Sequence, residues 1–368
     1  MTTAEASIPP GGDGIFPILE AGGFEQVACC HDPRTGLRAI VAIHSTTLGP
    51  ALGGTRFYPY ASERDAVIDV CRLARAMTYK HAVCGNDLGG GKAVIWGDPS
   101  TQRSEALLRA YGRFVDGLAG RYLTAEDVGT TQDDMDLIHR ETPHVTGVST
   151  SLGGSGDPSP ATATGVLWAM KAAAERLWGT SSLAGRHVCI SGVGKVGSAL
   201  ARLLDAEDAK LTVADIDDRA VTAAIENYGA RSTSPEAAHM TECDLFAPCA
   251  LGGVLNARTI GELRCAAVVG SANNQLASDD DAAVLARRDI AYVPDFVASA
   301  GGVINIAEEV RGYDRERASR RIRSIYDTVQ AIFTRAETHG ITTTEAATGL
   351  AEDRIAAVGN VKLLRPGH

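Results

Sequence analysis

The segment Arg186–Asp215, RHVCISGVGKVGSALARLLDAEDAKLTVAD, decides the fold. A short apolar run over residues 186–191 predicts a buried strand that leads into glycines at positions 192, 194 and 197. A helical pattern follows over residues 198–204, and residues 211–215 predict the next strand. The segment is therefore a β-α-β unit. Further apolar runs at residues 245–246, 266–269 and 290–293 predict an open, mostly parallel, doubly wound α/β sheet.

The glycine turn predicts a dinucleotide site, because free backbone N–H groups and the dipole at the start of a helix can hold a pyrophosphate. Asp215 ends the next strand, where its carboxylate can accept hydrogen bonds from both ribose hydroxyls and repel a 2′-phosphate. This favours NAD over NADP. Asp217 and Asp218 add to the repulsion, unless they only cap the helix near Arg219. The predicted cofactor residues here are Gly192, Val193, Gly194, Lys195, Val196, Gly197, Asp215 and Ile216.

The length of 368 residues exceeds what one hydrophobic core usually holds, so we expect two domains with a cleft between them. Strand patterns at residues 38–44 and 93–96 and a helical pattern at 63–76 predict an N-terminal α/β substrate domain over residues 1–157. A Ser, Gly and Pro-rich segment, residues 149–160, is the predicted hinge. We expect a Rossmann-type NAD-binding domain over 158–335 and a C-terminal helix over 336–368 that packs back on the first domain. Residues 1–14 are predicted to be a loose extension.

Composition excludes several classes of protein. A net charge of −10 disfavours a nucleic-acid binder, and the Arg-rich run 311–323 contains acidic residues that indicate a salt-bridged surface or a subunit contact. The 8 cysteines show no Cys-x-x-Cys pair and no zinc-like spacing with histidine, so we expect no metal site. Because the sequence shows no signal peptide and no apolar run of membrane length, we expect a cytoplasmic protein that does not interact with a membrane.

A second segment, Thr78–Lys92 (TYKHAVCGNDLGGGK), contains two lysines in apolar surroundings. Loss of hydration and a second ammonium nearby lower a lysine pKa, so one lysine can act as a base while the other holds an anion. The glycines also suggest a phosphate-binding P-loop, but Asn86 replaces its first glycine and Ala93 its metal-binding hydroxyl. We interpret the glycines as a short turn that allows close approach of a substrate to Lys92.

Two further segments carry polar groups at strand ends. In residues 124–131 (TAEDVGTT), Asp127 follows a predicted strand at 121–123, although it could instead cap the helix that contains residues 135–139. In residues 270–276 (GSANNQL), adjacent asparagines lie where doubly wound sheets bind ligands, and their amides can both donate and accept hydrogen bonds. The alternative is a turn stabilised by asparagine side chains.

These segments resemble the amino-acid dehydrogenases of the glutamate, leucine, valine and phenylalanine dehydrogenase superfamily, and the leucine and valine branch in particular. The likeness extends from Phe24 to Ala357. Besides the segments already described, it rests on the runs LGPALGGTR (48–56), MTYK (77–80), GGGK (89–92), APCALG (247–252) and PDFVASAGGV (294–303).

The resemblance implies a reversible oxidative deamination in which an L-amino acid, NAD⁺ and water give a 2-oxo acid, ammonia and NADH. It implies that Lys80 binds the substrate carboxylate, assisted by Asn273 and by the backbone near Gly53 and Gly54. Lys92, as the lysine of lowered pKa, would activate water, and Asp127 would exchange protons with the substrate amine. Domain closure about the hinge would exclude water from the reaction.

The resemblance also implies the remaining contacts and the assembly. The cofactor contacts would include Ser159, Thr162, Cys249, Ala250 and Asn273. The side-chain pocket would be lined by Leu52, Gly53, Ala125, Val297 and Ala300. Ala125 replaces the glycine of relatives that accept aromatic substrates, so we predict leucine or valine rather than phenylalanine, and about 1–3 kcal/mol per methylene leaves leucine and valine unresolved. Ser299 replaces an asparagine of the family pattern. The resemblance also implies a homo-oligomer, a dimer or a larger assembly.

Two rival classes remain for comparison with the structure. A binding protein that had kept the fold and lost its chemistry would not need Lys80, Lys92 and Asp127 together. A 2-hydroxy-acid dehydrogenase would use an imidazole as its base, for which His44 and His81 are available.

Overall fold

The computed structural model describes residues 14–361, so all but one residue of the predicted N-terminal extension lies outside the described residues. Contacts within the chain divide it into two units. Of the described residues, the first unit contains 14–157, 306–313 and 351–361, and the second contains 158–305 and 314–350. None of the helices within residues 14–361 is long and apolar enough to cross a membrane.

The first unit is built on a five-stranded mixed sheet in the order β1-β2-β4-β3-β5. Its elements are α1 (Ile15–Gly22), β1 (Gln26–Asp32), β2 (Leu37–Ser45), β3 (Ala51–Tyr58), α2 (Glu63–Val83), β4 (Gly89–Trp96), α3 (Pro99–Gln102), α4 (Glu105–Asp116), β5 (Tyr122–Glu126) and α5 (Gln132–His139), followed by a 3₁₀ turn, Thr150–Leu152. Strand β3 pairs in parallel with β4 on one side and with β5 on the other.

Strand β2 shows why this sheet is buried on both faces. Its residues Leu37, Val41 and Ile43 belong to the apolar cluster under α4 and α5, whereas Ile40 and Ala42 pack with the cluster that includes α2. Alternate side chains of a strand point to opposite faces, and both faces are covered here. The sheet is therefore the middle layer of this unit.

The glycines of the segment GGGK lie inside β4, so the prediction of a glycine turn before Lys92 is wrong. The turn is at residues 84–88, where Gly85 has a φ of +71°. A Cβ at Gly90 would lie 2.1 Å from Oγ1 of Thr78, and one at Gly89 would lie 1.9 Å from the carbonyl oxygen of Ser45. The glycines are needed because α2 and the end of β2 pack directly on this strand.

The second unit contains a six-stranded parallel sheet in the order β11-β10-β9-β6-β7-β8. Its elements are α6 (Ser159–Trp178), β6 (His187–Ser191), α7 (Lys195–Asp205), β7 (Lys210–Ala214), α8 (Asp218–Tyr228), β8 (Arg231–Ser232), β9 (Leu245–Pro248), α9 (Ala257–Glu262), β10 (Ala267–Val268), α10 (Asp280–Arg287), β11 (Ala291–Tyr292), α11 (Asp295–Ala298), most of α12 (Gly301–Ala307), α13 (Arg315–Arg323), α14 (Ile325–His339) and the first part of α15 (Thr343–Gly359), with a 3₁₀ turn at Ala238–Met240. A second 3₁₀ turn, Glu308–Arg311, belongs to the first unit, as do the ends of α12 and α15. Counted along the chain within this unit, the order is that of the dinucleotide-binding Rossmann fold.

The C-terminal helices differ from the expected domain division. Residues 336–350 stay with the second unit, and the return to the first unit begins at Ala351, within α15. Helix α14 is held on α6, because Gln330 donates a hydrogen bond to the carbonyl of Ala172 at 3.1 Å and Tyr326 packs edge-on against Trp168. The return of residues 306–313 to the first unit has no signal in the sequence pattern.

Candidate active site

Lys92 and Asp127 form an ion pair in the first unit. The Nζ atom of Lys92, in β4, lies 2.9 Å from Oδ2 of Asp127, which directly follows β5. Strand β3 separates the two strands, and a Cβ at Gly54 would lie 2.9 Å from the Cβ of Asp127. Because Gly54 has no side chain, the side chains from β4 and from the end of β5 can meet across β3.

The charge of Asp127 is set by two cations. Burial raises the pKa of Asp127, but Lys92 and Arg56 lower it more, and the net pKa is below the usual range of a carboxyl group. Both cations contact Oδ2: Arg56 donates from Nε at 3.2 Å, and Lys92 is only 7% exposed. Asp127 is therefore a carboxylate at neutral pH.

The loop after β5 holds Asp127 in place. The backbone N–H of Asp127 donates to Oγ1 of Thr130 at 2.9 Å, and that hydroxyl donates to the carbonyl of Thr55 at 2.9 Å. The helix cap is Thr131, which forms a capping box with Asp134 at the start of α5. The alternative that Asp127 caps this helix is wrong.

Arg56 was not predicted as a site residue. It lies in β3 between the buried Thr55 and Phe57, and besides Asp127 it contacts Asp69 of α2 through Nη1 at 2.8 Å. A partly buried guanidinium in a sheet needs carboxylate partners. An arginine inside the predicted motif LGPALGGTR was the only sign of this role in the sequence. Its partners Asp69 and Asp127 lie 13 and 71 positions further along the chain.

Lys80 lies in the last turn of α2, the helix that packs on the glycines of β4. The predicted pocket residues Leu52 and Ala125 belong to one apolar cluster of the first unit, together with Met77, Leu88, Leu123, Ile306 and Ala307. The last two residues were not predicted, because they enter this unit only through the return of residues 306–313. Val297 and Ala300 are both fully buried within the second unit.

The two candidate histidine bases are occupied by structural hydrogen bonds. His81 is fully buried, with Nε2 donating to the carbonyl of Leu52 at 3.2 Å and Nδ1 accepting from Asn86 at 3.0 Å. His44 contacts Oγ1 of Thr78 at 2.8 Å, and burial together with Arg75 lowers the pKa of His44 to about 4. This arrangement counts against an imidazole base.

The glycine turn of the second unit has the form that a pyrophosphate site requires. Gly192 has a φ of +103°, and a Cβ there would lie 2.7 Å from the backbone nitrogen of Ala250. A Cβ at Gly197 would lie 1.9 Å from the carbonyl oxygen of Gly192. Apart from its two chain neighbours, no residue of the described part of the chain comes within 4 Å of a Cβ at Gly194. Two glycines are thus needed for packing, and the third leaves the N-terminus of α7 open.

Asp215, just after β7, fixes the glycine turn. Its Oδ2 accepts a hydrogen bond from the N–H of Val193 at 2.7 Å, and its Oδ1 accepts one from Asp217 at 3.0 Å. Asp217 caps α8, as the alternative interpretation of that residue held. The neighbouring apolar side chains of Ile216 and Leu251 are 92% and 82% exposed.

The other predicted cofactor residues have different environments. Ala250 and Asn273 are exposed, and Ser159 and Thr162 lie in the first turn of α6, where Thr162 donates to the carbonyl of Pro158 at 3.0 Å. Burial raises the pKa of the Cys249 thiol. Asn273 precedes Asn274, whose φ of +51° is the left-handed conformation that an asparagine turn adopts.

The chain matches two family models, "Glu/Leu/Phe/Val dehydrogenase, dimerisation domain" over residues 24–144 and "Glutamate/Leucine/Phenylalanine/Valine dehydrogenase" over residues 153–221 and 215–361. It therefore belongs to the Glu/Leu/Phe/Val dehydrogenase family, and the resemblance seen in the sequence is confirmed. The protein is an amino-acid dehydrogenase by family.

Individual relatives agree with this assignment. The chain is 52% identical to the leucine dehydrogenase of Bacillus cereus over 96% of this chain and 97% of the relative. It is 50% identical to the valine dehydrogenase of Streptomyces coelicolor over 92% and 93%. The crystal structure of L-tryptophan dehydrogenase from Nostoc punctiforme superposes with a TM-score of 0.83 at 43% identity, over 93% of this chain and 99% of that one.

The glycine turn yields a test with a matched pair of variants. Gly197→Ala should lower the unfolding free energy by about 1–3 kcal/mol, because its Cβ has no space. Gly194→Ala should leave the urea unfolding curve unchanged but weaken dinucleotide binding about tenfold or more. Its added methyl group would clash with the pyrophosphate, and a clash of about 1–3 kcal/mol corresponds to at least about that loss of affinity. Unfolding curves and fluorescence titration with NADH distinguish the two. Equal binding by Gly194→Ala and the parent would contradict the assignment.

Proposed function

We propose that this protein catalyses the NAD-dependent, reversible oxidative deamination of a branched-chain aliphatic L-amino acid, leucine or valine. The observation that carries the proposal is the buried Lys92–Asp127 ion pair. It provides a proton donor and a proton acceptor 2.9 Å apart in the unit that also holds the apolar cluster around Leu52 and Ala125. Deamination requires such a pair, because the attacking water must lose a proton and the nitrogen that leaves as ammonia must gain one.

Each polar residue then has a separate role. Lys80 binds the substrate carboxylate, with Asn273 as a second donor. Asp127, held as a carboxylate by its cations, accepts a proton from the substrate amine. Lys92 activates the water that replaces the amine and stabilises the oxygen that develops negative charge.

The backbone of β3 supports a substrate position beside these groups. Pairing between β3 and β4 joins Leu52 to Gly90 and resumes only at Thr55 with Ala93. Gly53 and Gly54 therefore lie at an interruption of this ladder, although they stay paired with β5. Backbone groups at such an interruption can bond a substrate carboxylate, which is the role we propose for them.

The cofactor we propose is NAD, which accepts a hydride from the substrate carbon when it is bound. The open N-terminus of α7 at Gly194 and Lys195 would hold the pyrophosphate. Asp215 would bind the ribose, and its charge would repel a 2′-phosphate. The exposed Ile216 offers an apolar surface for the adenine.

The apolar residues predicted to line the side-chain pocket support the substrate class. Leu52 and Ala125 are 0% and 3% exposed, and Ala125 occupies space that a glycine would leave for an aromatic ring. Apolar side chains at these positions favour an aliphatic substrate side chain. Ile306 and Ala307 belong to the same apolar cluster of the first unit.

We also propose a homo-oligomer, since residues 24–144 match a domain described as a dimerisation domain. A cytoplasmic location and closure of the two units about residues 149–160 stay predictions.

An amino-acid panel tests the reaction, cofactor and substrate together. We expect kcat/KM for L-leucine or L-valine with NAD⁺ to exceed that for L-phenylalanine, because one or two methylenes of misfit cost about 1–3 kcal/mol each. NADP⁺ should be a poor substitute. Steady-state kinetics with Leu, Val, Ile and Phe measure this, and ammonia dependence of NADH oxidation separates the reaction from 2-hydroxy-acid chemistry. A clear preference for phenylalanine would contradict the proposed pocket.

Replacement of Lys92 tests its catalytic role. Lys92→Ala should reduce kcat about 10²–10⁴-fold, the range that loss of a general acid–base group gives, while NADH binding is retained. The matched control is Lys210→Ala, which removes an exposed lysine at the start of β7 and should leave kcat unchanged. Undiminished deamination by Lys92→Ala would show that the assigned base is wrong.

A further inference from the structure

Arg56 connects the carboxylate of Asp127 to a second partly buried carboxylate, that of Asp69. Its guanidinium donates from Nε to Oδ2 of Asp127 at 3.2 Å and from Nη1 to Oδ2 of Asp69 at 2.8 Å. Asp69 also accepts from the hydroxyl of Tyr60 at 2.6 Å and from Arg72 at 3.1 Å. The side chains of Arg56 and Asp69 are 23% and 16% exposed, so water only partly screens these contacts.

We propose that Arg56 is a positioning residue for the deamination, held by Asp69 and Tyr60, that fixes Asp127 against Lys92. This inference rests on the proposed function and adds a residue to it. A planar guanidinium can bond two carboxylates in fixed directions at the same time, which a lysine ammonium cannot do with the same geometry.

The position of Arg56 in β3 explains why it can act in this way. Arg56 lies two residues after Gly54 in β3, the strand between β4, which carries Lys92, and β5, which Asp127 follows. Lys92 and Arg56 therefore reach the same carboxylate oxygen from neighbouring strands. With one cation only, the side chain of Asp127 could rotate away from the ammonium, and the proton acceptor would be displaced from the substrate amine.

The charged groups around Asp127 define the expected pH effect. Lys92 faces it from β4 and Arg56 from β3, while Asp69 and Arg72 of α2 and the Tyr60 hydroxyl stand behind Arg56. Burial opposes the charge of Asp127, and the two cations offset this, so that its pKa is lowered overall. Removal of Arg56 therefore raises the pKa of Asp127, and the carboxylate form is lost at a higher pH.

The test is the pH profile of kcat/KM for Arg56→Gln, normalised to active sites by NADH titration. We expect the acid limb to move to higher pH by about one unit, the lower end of the range for loss of an adjacent opposite charge. Arg56→Lys keeps the positive charge but not the planar guanidinium. Its acid limb should therefore lie close to the parent's, while kcat/KM stays below the parent's value. If both variants keep the parent's acid limb and lose only activity or thermal stability, the proposal is overturned.

Two further variants complete the design. Arg72→Gln removes a guanidinium from Asp69 that does not touch Asp127 and is 57% exposed, so its acid limb should match the parent's. Asp69→Asn removes the anchor of Arg56 and should shift the limb in the same direction as Arg56→Gln, which keeps the test available if Arg56→Gln does not fold. A parent-like limb in Asp69→Asn would argue against the anchor. Full activity of Asp127→Asn would instead contradict the proposed function itself, because Asp127 is its proton acceptor.

Discussion

The ion pair of Lys92 with Asp127 is the interaction on which the candidate active site of the first unit depends. Two charges in a buried place lose hydration, and their attraction offsets this only with good geometry and additional hydrogen bonds. The protein supplies these through Arg56, the Thr130 hydroxyl and the turn after β5. In the function we propose, the same two side chains exchange protons with the substrate amine and with water.

Missing side chains make this arrangement possible. Gly54 leaves space for the side chains of Lys92 and Asp127 to meet across β3, and Gly90 allows α2 to pack against the strand that carries Lys92. Gly89 allows the close approach of Ser45 at the end of β2. The second unit follows the same principle, since Gly192 and Gly197 close the turn and Gly194 leaves the start of α7 open. In both units these glycines allow the backbone to approach functional groups closely, and they do not serve to make the chain flexible.

The sequence predicted much of the fold and site because their signals are local. The strand, glycine turn and following strand at 186–215 are neighbours in the chain, and Asp127 directly follows a strand. The glycines before Lys92 favour a turn in the sequence, because glycine has a low strand propensity. In the structure, packing against α2 overrides this propensity. Arg56 and Ile306 could not be assigned, since their roles depend on partners distant in sequence and on the return of residues 306–313 to the first unit.

The most direct measurement is a double-mutant cycle on kcat/KM for L-leucine with Lys92→Ala, Asp127→Asn and the double variant. If the two groups act as one proton-transfer pair, their losses are not additive, and the double variant is about as slow as the slower single variant. Two losses that multiply fully in the double variant would show independent contributions and contradict a functional pair.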